Sequence, residues 1–564
     1  MNEEIREHIL KSRYLLAEER DFADICRRVA DHVGKTDTEG LAFYKMMVHL
    51  DFLPNSPTLM NAGTSCSQLA ACFVIPIGST IGEIFEAVRQ GAIIQITGGG
   101  TGYNFSDIPP EGAQFGPADG ISPGPTRFIE IFDCATSVIR QGGRRRGANM
   151  GILDIYHPDI LTFIHAKHKE GTLTNFNLSV MIPDSFMEAV STGGGDMVLF
   201  IHPQTLKTVR MHDVLDAIVD GIYHNGEPGV LFSGTINRGN RTPHLGTIQA
   251  TNPCGEEPLL PYESCILGSI NLARCMENNH LNLSHLEEIV RLSVRFLDAA
   301  IDATQHPIKE IEEATVKTRK IGLGIMGLHD ALLLAGIPYD TDEARSFARE
   351  TMSFITQIGV DESLNIGREN GSFPAWEGST WDTPIRNAQV TTIAPTGTIS
   401  LLAGCSPGIE PVYSFVYTRH HTAGGRFEMV HPIFSRALDL EIARLGYSEY
   451  HRDLKREEVI NYIRRTGSLQ DLEWLSPEFR RLFVSALDIS WQDHLLMQEA
   501  FQRSVHASIA KTINLPASAD RDEIREAILM AWRLSLKGVT LYRTGSRRDI
   551  VYGFEGCSGC GYRY

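Results

Sequence analysis

Apolar residues recur at three- and four-residue spacing over HLNLSHLEEIVRLSVRFLDAAIDATQ (280–305), which predicts an amphipathic helix opening at the cap-like Ser284. The same period predicts helices over 341–366 and 491–510, and residues 1 to about 55 read as helical. Between the helices lie short apolar runs bounded by glycine, proline and asparagine: AACFVIPIG (70–78), NMGILDIY (149–156), NFNLSVMI (175–182), GSINLA (268–273) and AQVTTIAPTGTIS (388–400). These predict strands, and strands alternating with helices predict an α/β fold. No repeat or low-complexity linker interrupts the pattern before SRRDIVYGFEGCSGCGYRY (546–564), whose glycine and aromatic content predicts a flexible tail.

Composition narrows the function classes. A chain of 564 residues with 42% hydrophobic content can bury a large core. Its formal charge of −17, without a long basic run, argues against a nucleic acid polymer as partner. The charged N-terminus lacks the apolar stretch of a signal peptide, and no segment reaches the roughly 18 apolar residues of a membrane span, so the expectation is no membrane association and a cytoplasmic protein. Ten cysteines are too few for a disulfide scaffold at this length, which points to catalytic, redox or metal-bound roles for any that matter.

Several motifs carry less than their form suggests. GLGIMG (322–327) fits the dinucleotide fingerprint, yet follows a charged helical stretch rather than a buried strand, which leaves a nicotinamide dehydrogenase as a rival without further support. GCSPG (404–408) fits a nucleophile elbow, but Pro407 has no N–H to give an oxyanion hole. GGGTGYN (98–104) lacks the lysine and hydroxyl of a P-loop and reads as a tight turn where the backbone closely approaches something. RQGGRRRGANMG (140–151) combines glycine with four arginines, as suits either a solvated turn or a nucleotide phosphate.

ATNPCGEEPLLPYESC (250–265) places Asn252, Cys254 and Glu256 within five positions and Cys265 eleven after Cys254. A neighbouring carboxylate raises a thiol's pKa, and no histidine is near in sequence, so the group is poorly suited to nucleophilic work. Hydrogen-atom transfer has no such requirement: a neutral thiyl takes hydrogen from carbon, a carboxylate deprotonates a hydroxyl, and an amide holds it. Taken alone, the residues favour a turn at Asn252-Pro253 with Cys254 packed and Glu256 solvated.

The wider chain resembles the ribonucleotide reductase large-subunit family from about residue 10 to residue 550. The resemblance runs, in order, through NSPTLMNAGT (55–64), CFVIPIG (72–78), GGGTGYNFS (98–106), QGGRRRGANMG (141–151), HPDI (157–160), NPCGE (252–256), SCILGSINL (264–272), IGLGIMGL (321–328), APTGTIS (394–400), KTINLP (511–516) and LYRTGSR (541–547). It implies that Cys254 becomes the thiyl that abstracts the ribose 3′ hydrogen, that Glu256 is the base for the 3′ hydroxyl, and that Asn252 binds substrate. It further implies that Cys72 and Cys265 deliver electrons and become a disulfide. Substrate contacts are implied at Ser56, Ala71 and Cys72, across Asn252, Pro253, Cys254, Gly255 and Glu256, and at the turn Pro395, Thr396, Gly397, Thr398 and Ile399. Arg140, Gln141, Arg144 and Arg145 correspond to the loop that reports a deoxynucleotide or ATP effector, where Ser79 departs from the usual aspartate. Ile266 likewise replaces the usual asparagine after the second redox cysteine.

The resemblance also bears on the radical source. TLYR (540–543) has one tyrosine where the iron-dependent class has a pair, and no glycyl-radical segment is present. The motifs PTGTIS, YESC-LGSINL and LYRTGSR are most similar to those of the adenosylcobalamin-dependent class II enzymes, which implies that cofactor, a ribonucleotide substrate, diphosphate rather than triphosphate, and no metal ligated by the chain. The implied fold is a ten-stranded α/β barrel of two five-stranded parallel halves over 56–545. An N-terminal helical region over 1–55 has no room for an ATP cone, and 546–564 is a redox tail. There Cys557 and Cys560 would pass electrons from thioredoxin or a similar reductant, although two thiols at this spacing also make half a zinc site. A homodimer and a monomer both remain open. The rivals are a catalytically inactive nucleotide-binding regulatory homologue and a class I-type reductase needing a radical-generating partner.

Overall fold

The computed structural model describes residues 3–116, 120–139, 147–202, 205–420, 426–547 and 552–553. Its centre is a closed barrel. Cys72–Val74, Gly100–Asn104, Asn149–Asp154, Phe176–Ile182 and Gly229–Phe232 form one parallel run, each strand paired with the next. In the second run Ser264–Asn271 lies parallel to Ile321–Met326. The extended segment 389–393 follows, joined to its neighbours by parallel bridges Leu323↔Thr391 and Ile393↔Ile509, and the run ends with Thr512–Leu515 parallel to Gly538–Arg543. Two antiparallel seams close the sheet, one where Ser264 and Cys265 face Phe73 and Cys72, the other where Gly538 and Val539 face Leu231 and Val230. The chain is thus α/β with five strands in each half, as expected.

Period-two alternation explains why the strands read as apolar without a polar face. Phe73, Leu153, Val180, Phe232, Ile266 and Ile270 face the helices, while Cys72, Val74, Met150, Ile152, Met181, Leu231, Cys265 and Leu267 share a separate inner cluster. Ile248, Ala250, Leu259 and Leu260 belong to that inner cluster too, so the antiparallel hairpin of Ala250–Thr251 and Pro258–Leu259 sits among the inward side chains. A sheet buried on both faces needs hydrophobic residues on both.

Inward glycines make room for the hairpin. A Cβ on Gly102 would lie 1.6 Å from the Thr251 carbonyl oxygen, and one on Gly100 would lie 2.9 Å from the Pro253 ring. GGGTGYN therefore opens in a turn, with Gly98 at φ +96°, and continues as the strand Gly100–Asn104, where the close backbone approach expected of it is present. Gly322 and Gly324 repeat the device; a Cβ on Gly324 would meet the Thr392 carbonyl at 2.4 Å. Because these two glycines lie inside the strand Ile321–Met326, they cannot form a phosphate-binding loop after it, and the nicotinamide reading falls.

Three element boundaries differ from the periodicity reading. The helix foreseen over 491–510 stops at Gln502, because residues beyond it extend to close the barrel: Ala507 N–H donates to Thr391 (2.9 Å) and Ala510 N–H to Ile393 (2.9 Å). The helix Leu283–Ala303 is capped by the Asn282 side chain, which accepts from the His285 N–H, rather than by Ser284. The N-terminal run is broken into Glu3–Ile9, Leu10–Tyr14, Phe22–Val33 and Asp37–Val48, and then gives the strand Phe52–Pro54. This region docks on Leu283–Ala303 through the edge-on pair Phe43–Phe296, with centroids 5.2 Å apart.

Candidate active site

The hairpin loop is fixed by one side chain. Asn252 Oδ1 accepts from the Glu257 N–H (3.0 Å), and its Nδ2 donates to the Cys72 sulfur (3.1 Å). One amide therefore holds the loop shut and ties it to the first barrel strand, with two hydrogens on Nδ2 to donate. Asn177 Nδ2 donates to the Pro253 carbonyl (2.8 Å) from the other side. At the tip, Gly255 has φ +82°, a left-handed conformation that favours glycine, with nothing within 4 Å of where a Cβ would sit. Cys254 beside it is exposed while Asn252 and Glu256 are buried, so the loop offers a thiol to open space with a carboxylate in its wall. The Glu256 carbonyl is gripped by the Ser508 N–H (2.8 Å) and Thr392 Oγ1 (3.0 Å), which sets the direction of that residue from the opposite half of the barrel.

Cys72 and Cys265 are register partners across the first seam. Directly opposed Cβ atoms in such a pair stand on the order of 4.5–5.5 Å apart, a separation that small side-chain adjustments convert into disulfide geometry. Both are thiols, and burial pushes the Cys265 pKa well above that of an ordinary thiol, helped by the Glu257 carboxyl and the neighbouring Cys72. The structure thus brings together four residues singled out from the sequence, Cys72, Asn252, Glu256 and Cys265, with Cys254 at the open end.

The turn Pro395–Thr398 and Ser56 form a second locus. Thr396 adopts φ +51° and its Oγ1 accepts the Gly408 N–H (2.7 Å), so this hydroxyl braces the turn. Ser56 opens the helix Ser56–Asn61, and Ala71 uses both backbone groups in the sheet, donating to Cys265 and accepting from Gly100. Two consecutive residues of the helical region, unmarked by any motif, join these loci. Tyr14 Oη lies 2.7 Å from Ser56 Oγ, and Arg13 donates to Thr398 Oγ1 at 3.2 Å. Arg140, Gln141, Arg144, Arg145, Cys557 and Cys560 lie outside the described residues.

Beside the turn opens a cavity of about 920 Å³, counted with its mouth, whose lining includes Gly397, Leu401, Val412, Tyr413, Met429 and His431. Its walls combine these apolar and aromatic side chains with the polar Ser400, Ser406, Glu410 and Asn514. His431 has both ring nitrogens engaged, Nε2 with Asp330 (3.2 Å) and Nδ1 with the Phe434 N–H (3.5 Å), so it is arranged to brace the wall rather than to ligate a metal. Among the described residues no group of three or more histidine, cysteine or acidic side chains is placed to hold a metal ion, and no helix is long and apolar enough to cross a membrane.

A family model described as the ribonucleotide reductase barrel domain matches residues 70–385 and 382–542, and one described as the ribonucleotide reductase all-alpha domain matches residues 4–67. The chain belongs to the ribonucleotide reductase large-subunit family. A solved reductase, the class Id alpha subunit of Actinobacillus ureae, shares the fold at TM-score 0.79 and 23% identity, covering 96% of this chain and 97% of its own. The vitamin B12-dependent ribonucleoside-diphosphate reductase of Thermoplasma acidophilum is 43% identical over 513 residues, 90% of this chain and 65% of that protein. A reductase of the same name from Mycobacterium tuberculosis is 43% identical over 563 residues, 96% of this chain and 79% of that protein. The chain therefore spans about two thirds of the first relative's length and about four fifths of the second's.

Proposed function

We propose that the chain reduces ribonucleoside diphosphates to 2′-deoxyribonucleotides for DNA precursor synthesis, through a thiyl radical at Cys254 and with adenosylcobalamin as cofactor. The observation that carries this reading is the hairpin itself, which presents an exposed Cys254 beside buried Glu256 while Asn252 touches one member of an opposed cysteine pair. When bound, adenosylcobalamin supplies a carbon-centred radical by homolysis of its cobalt–carbon bond. Gly397, Leu401, Tyr413 and Met429 are the residues that would hold part of that cofactor.

The chain's own groups divide the remaining work. Cys254 takes the 3′ hydrogen and later returns it, Glu256 accepts the 3′ hydroxyl proton, and the second Nδ2 hydrogen of Asn252 steadies the sugar oxygen. Cys72 and Cys265 give two electrons and close to a disulfide. Ser56, the backbone of Pro395, Thr396, Gly397, Thr398 and Ile399, and the Arg13 guanidinium receive the diphosphate; an arginine fork matches phosphate geometry. Arg140, Gln141, Arg144 and Arg145 answer to a nucleotide effector, and Cys557 with Cys560 passes electrons from a thioredoxin-like dithiol protein. We take 1–55 as a helical region, 56–545 as the catalytic barrel and 546–564 as the redox tail, in a cytoplasmic enzyme.

Incubation with adenosylcobalamin, a small dithiol and a ribonucleoside diphosphate is expected to yield the deoxynucleotide with neither iron nor a second subunit. Turnover that demanded a diiron partner and ignored the cobalamin would overturn the cofactor assignment.

A further inference from the structure

Behind the cysteine pair lies a buried carboxyl that the reaction above does not use. Glu257 is fully buried and accepts from Gln389 Nε2 through Oε2 (2.7 Å), while Oε1 is buried with no hydrogen-bond partner. It lies against Gly322, where a Cβ would come within 2.7 Å of Oε1, on the strand beside that of Cys265, and it is near enough to raise the pKa of that thiol. Because Gln389 donates to Oε2, a proton on this carboxyl resides on Oε1. Cys265 is 0% exposed, and its thiol is oriented toward the carbonyls of Ile266 (3.8 Å) and Lys320 (3.7 Å). Cys72 is the member of the pair that meets the hairpin, through Asn252, so a reductant entering along the hairpin reaches Cys72 first.

We propose that Glu257 is the proton donor to Cys265 when the Cys72–Cys265 disulfide is reduced. The thiolate of an external dithiol attacks the Cys72 sulfur, forming a mixed disulfide and breaking the Cys72–Cys265 bond, whose electron pair stays on Cys265. Glu257 gives its proton to that sulfur, leaving a neutral thiol and a carboxylate. The dithiol's second thiolate then attacks its own bound sulfur, releasing Cys72, which is protonated from solvent, and Glu257 recovers a proton from solvent. The sum is one protein disulfide and one dithiol converted to two protein thiols and one external disulfide. Without the transfer, a thiolate would be stranded in an apolar wall beside a carboxyl group, where desolvation is severe.

The surrounding charges leave Glu257 as the donor. Lys320 is spent on Glu263 (2.6 Å), and Lys537 donates to the carbonyls of His506 (2.5 Å) and Ala507 (2.6 Å) beside Arg241. Glu256 is the other facing carboxyl, and Thr392 the facing hydroxyl. Burial, with the Glu256 charge adding to it, pushes the Glu257 pKa up to about 8, so the group holds its proton at neutral pH.

This inference rests on the reading of Cys72 and Cys265 as the redox pair, and its test needs neither cofactor nor nucleotide. The full chain is oxidised, treated with a small dithiol across pH 6–10, and its Cys72 and Cys265 thiols are trapped by alkylation and quantified by mass spectrometry. In the wild type the rate first climbs with the dithiol's thiolate fraction and then falls as pH rises through about 8, where Glu257 loses its proton. Glu257→Gln is expected to reduce about a hundredfold more slowly at pH 7, the low end of what a positioned general acid contributes, and to lose the falling limb. Infrared difference spectra of the wild type, disulfide against dithiol, are expected to show a shifted protonated-carboxyl stretch that Glu257→Gln removes. An unchanged rate and pH profile in the variant, or no carboxyl band in the wild type, overturns the inference while the redox pair stands. Failure of oxidation to link Cys72 with Cys265 overturns the redox pair, and the inference with it.

Discussion

Asn252 shows how much one amide can do when both of its ends are used. With Oδ1 on the Glu257 N–H and Nδ2 on the Cys72 sulfur, it makes loop geometry and cysteine position a single quantity. Cys254→Ala is expected to abolish deoxynucleotide formation, whereas Cys72→Ser should leave substrate-dependent radical formation visible by electron paramagnetic resonance while stopping turnover; repeated turnover by Cys254→Ala would refute the thiyl mechanism. Glu257 has a stability signature of its own. Its folded pKa of about 8 exceeds the ordinary 4.5, so the folded state holds the proton more tightly, and stability falls as pH rises between those values. Each unit of pH in that window costs about 1.4 kcal/mol from this group. Glu257→Gln removes the slope, so its advantage over the wild type in urea unfolding should grow from pH 5 to pH 8; a constant difference would contradict the assignment. The proposed trio of Asn252, Cys254 and Glu256 stood out in the sequence by residue type and spacing, and its roles were legible only through family resemblance. Glu257 was not, since Glu256 and Glu257 are indistinguishable until burial and partners are known.

At the scale of elements, inward glycines recur at alternate positions of two strands, Gly100 with Gly102 and Gly322 with Gly324; in each pair one glycine faces a backbone carbonyl, Thr251 for Gly102 and Thr392 for Gly324, and the other faces side chains. Gly102→Ala is expected to destabilise the fold by at least the 1–3 kcal/mol typical of overpacking, because the obstacle is the Thr251 carbonyl rather than a side chain that can turn aside. Gly82→Ala, on the helix Ile81–Ile96 with nothing within 4 Å, is the control and should be neutral or stabilising by about 0.5–1 kcal/mol. Equal midpoints for both variants in chemical denaturation would show that the close approach carries no energy. The strand positions could be read from the apolar runs, but not the meaning of the glycines: period-two glycine looks like a nucleotide loop until the face it opens is known. Residues 503–510 were misread for a related reason, since apolar spacing continues past Gln502 while barrel closure demands an extended chain.

For the molecule as a whole, the α/β class follows from local pattern and the two five-stranded parallel halves followed only from family resemblance, whereas the two antiparallel seams join segments far apart in sequence and came into view only with the structure. The N-terminal region and the barrel meet where Arg13 and Tyr14 reach Thr398 and Ser56, so substrate affinity should depend on both. Arg13→Ala is expected to raise the KM for a ribonucleoside diphosphate several-fold with little change in kcat, the mark of binding that is equal in ground and transition states; a fall in kcat at constant KM would place Arg13 elsewhere. The first seam has a mechanical consequence. Cys72 belongs to one half of the barrel and Cys265 to the other, so oxidation welds the halves into a covalent ring running from residue 72 to residue 265. Closing a loop of that length restricts the unfolded chain by an amount worth up to about 5 kcal/mol. In the proposed redox cycle each turnover would alternately rivet and release the scaffold that performs it, and the oxidised protein should melt a few degrees higher than the reduced one at the same scan rate.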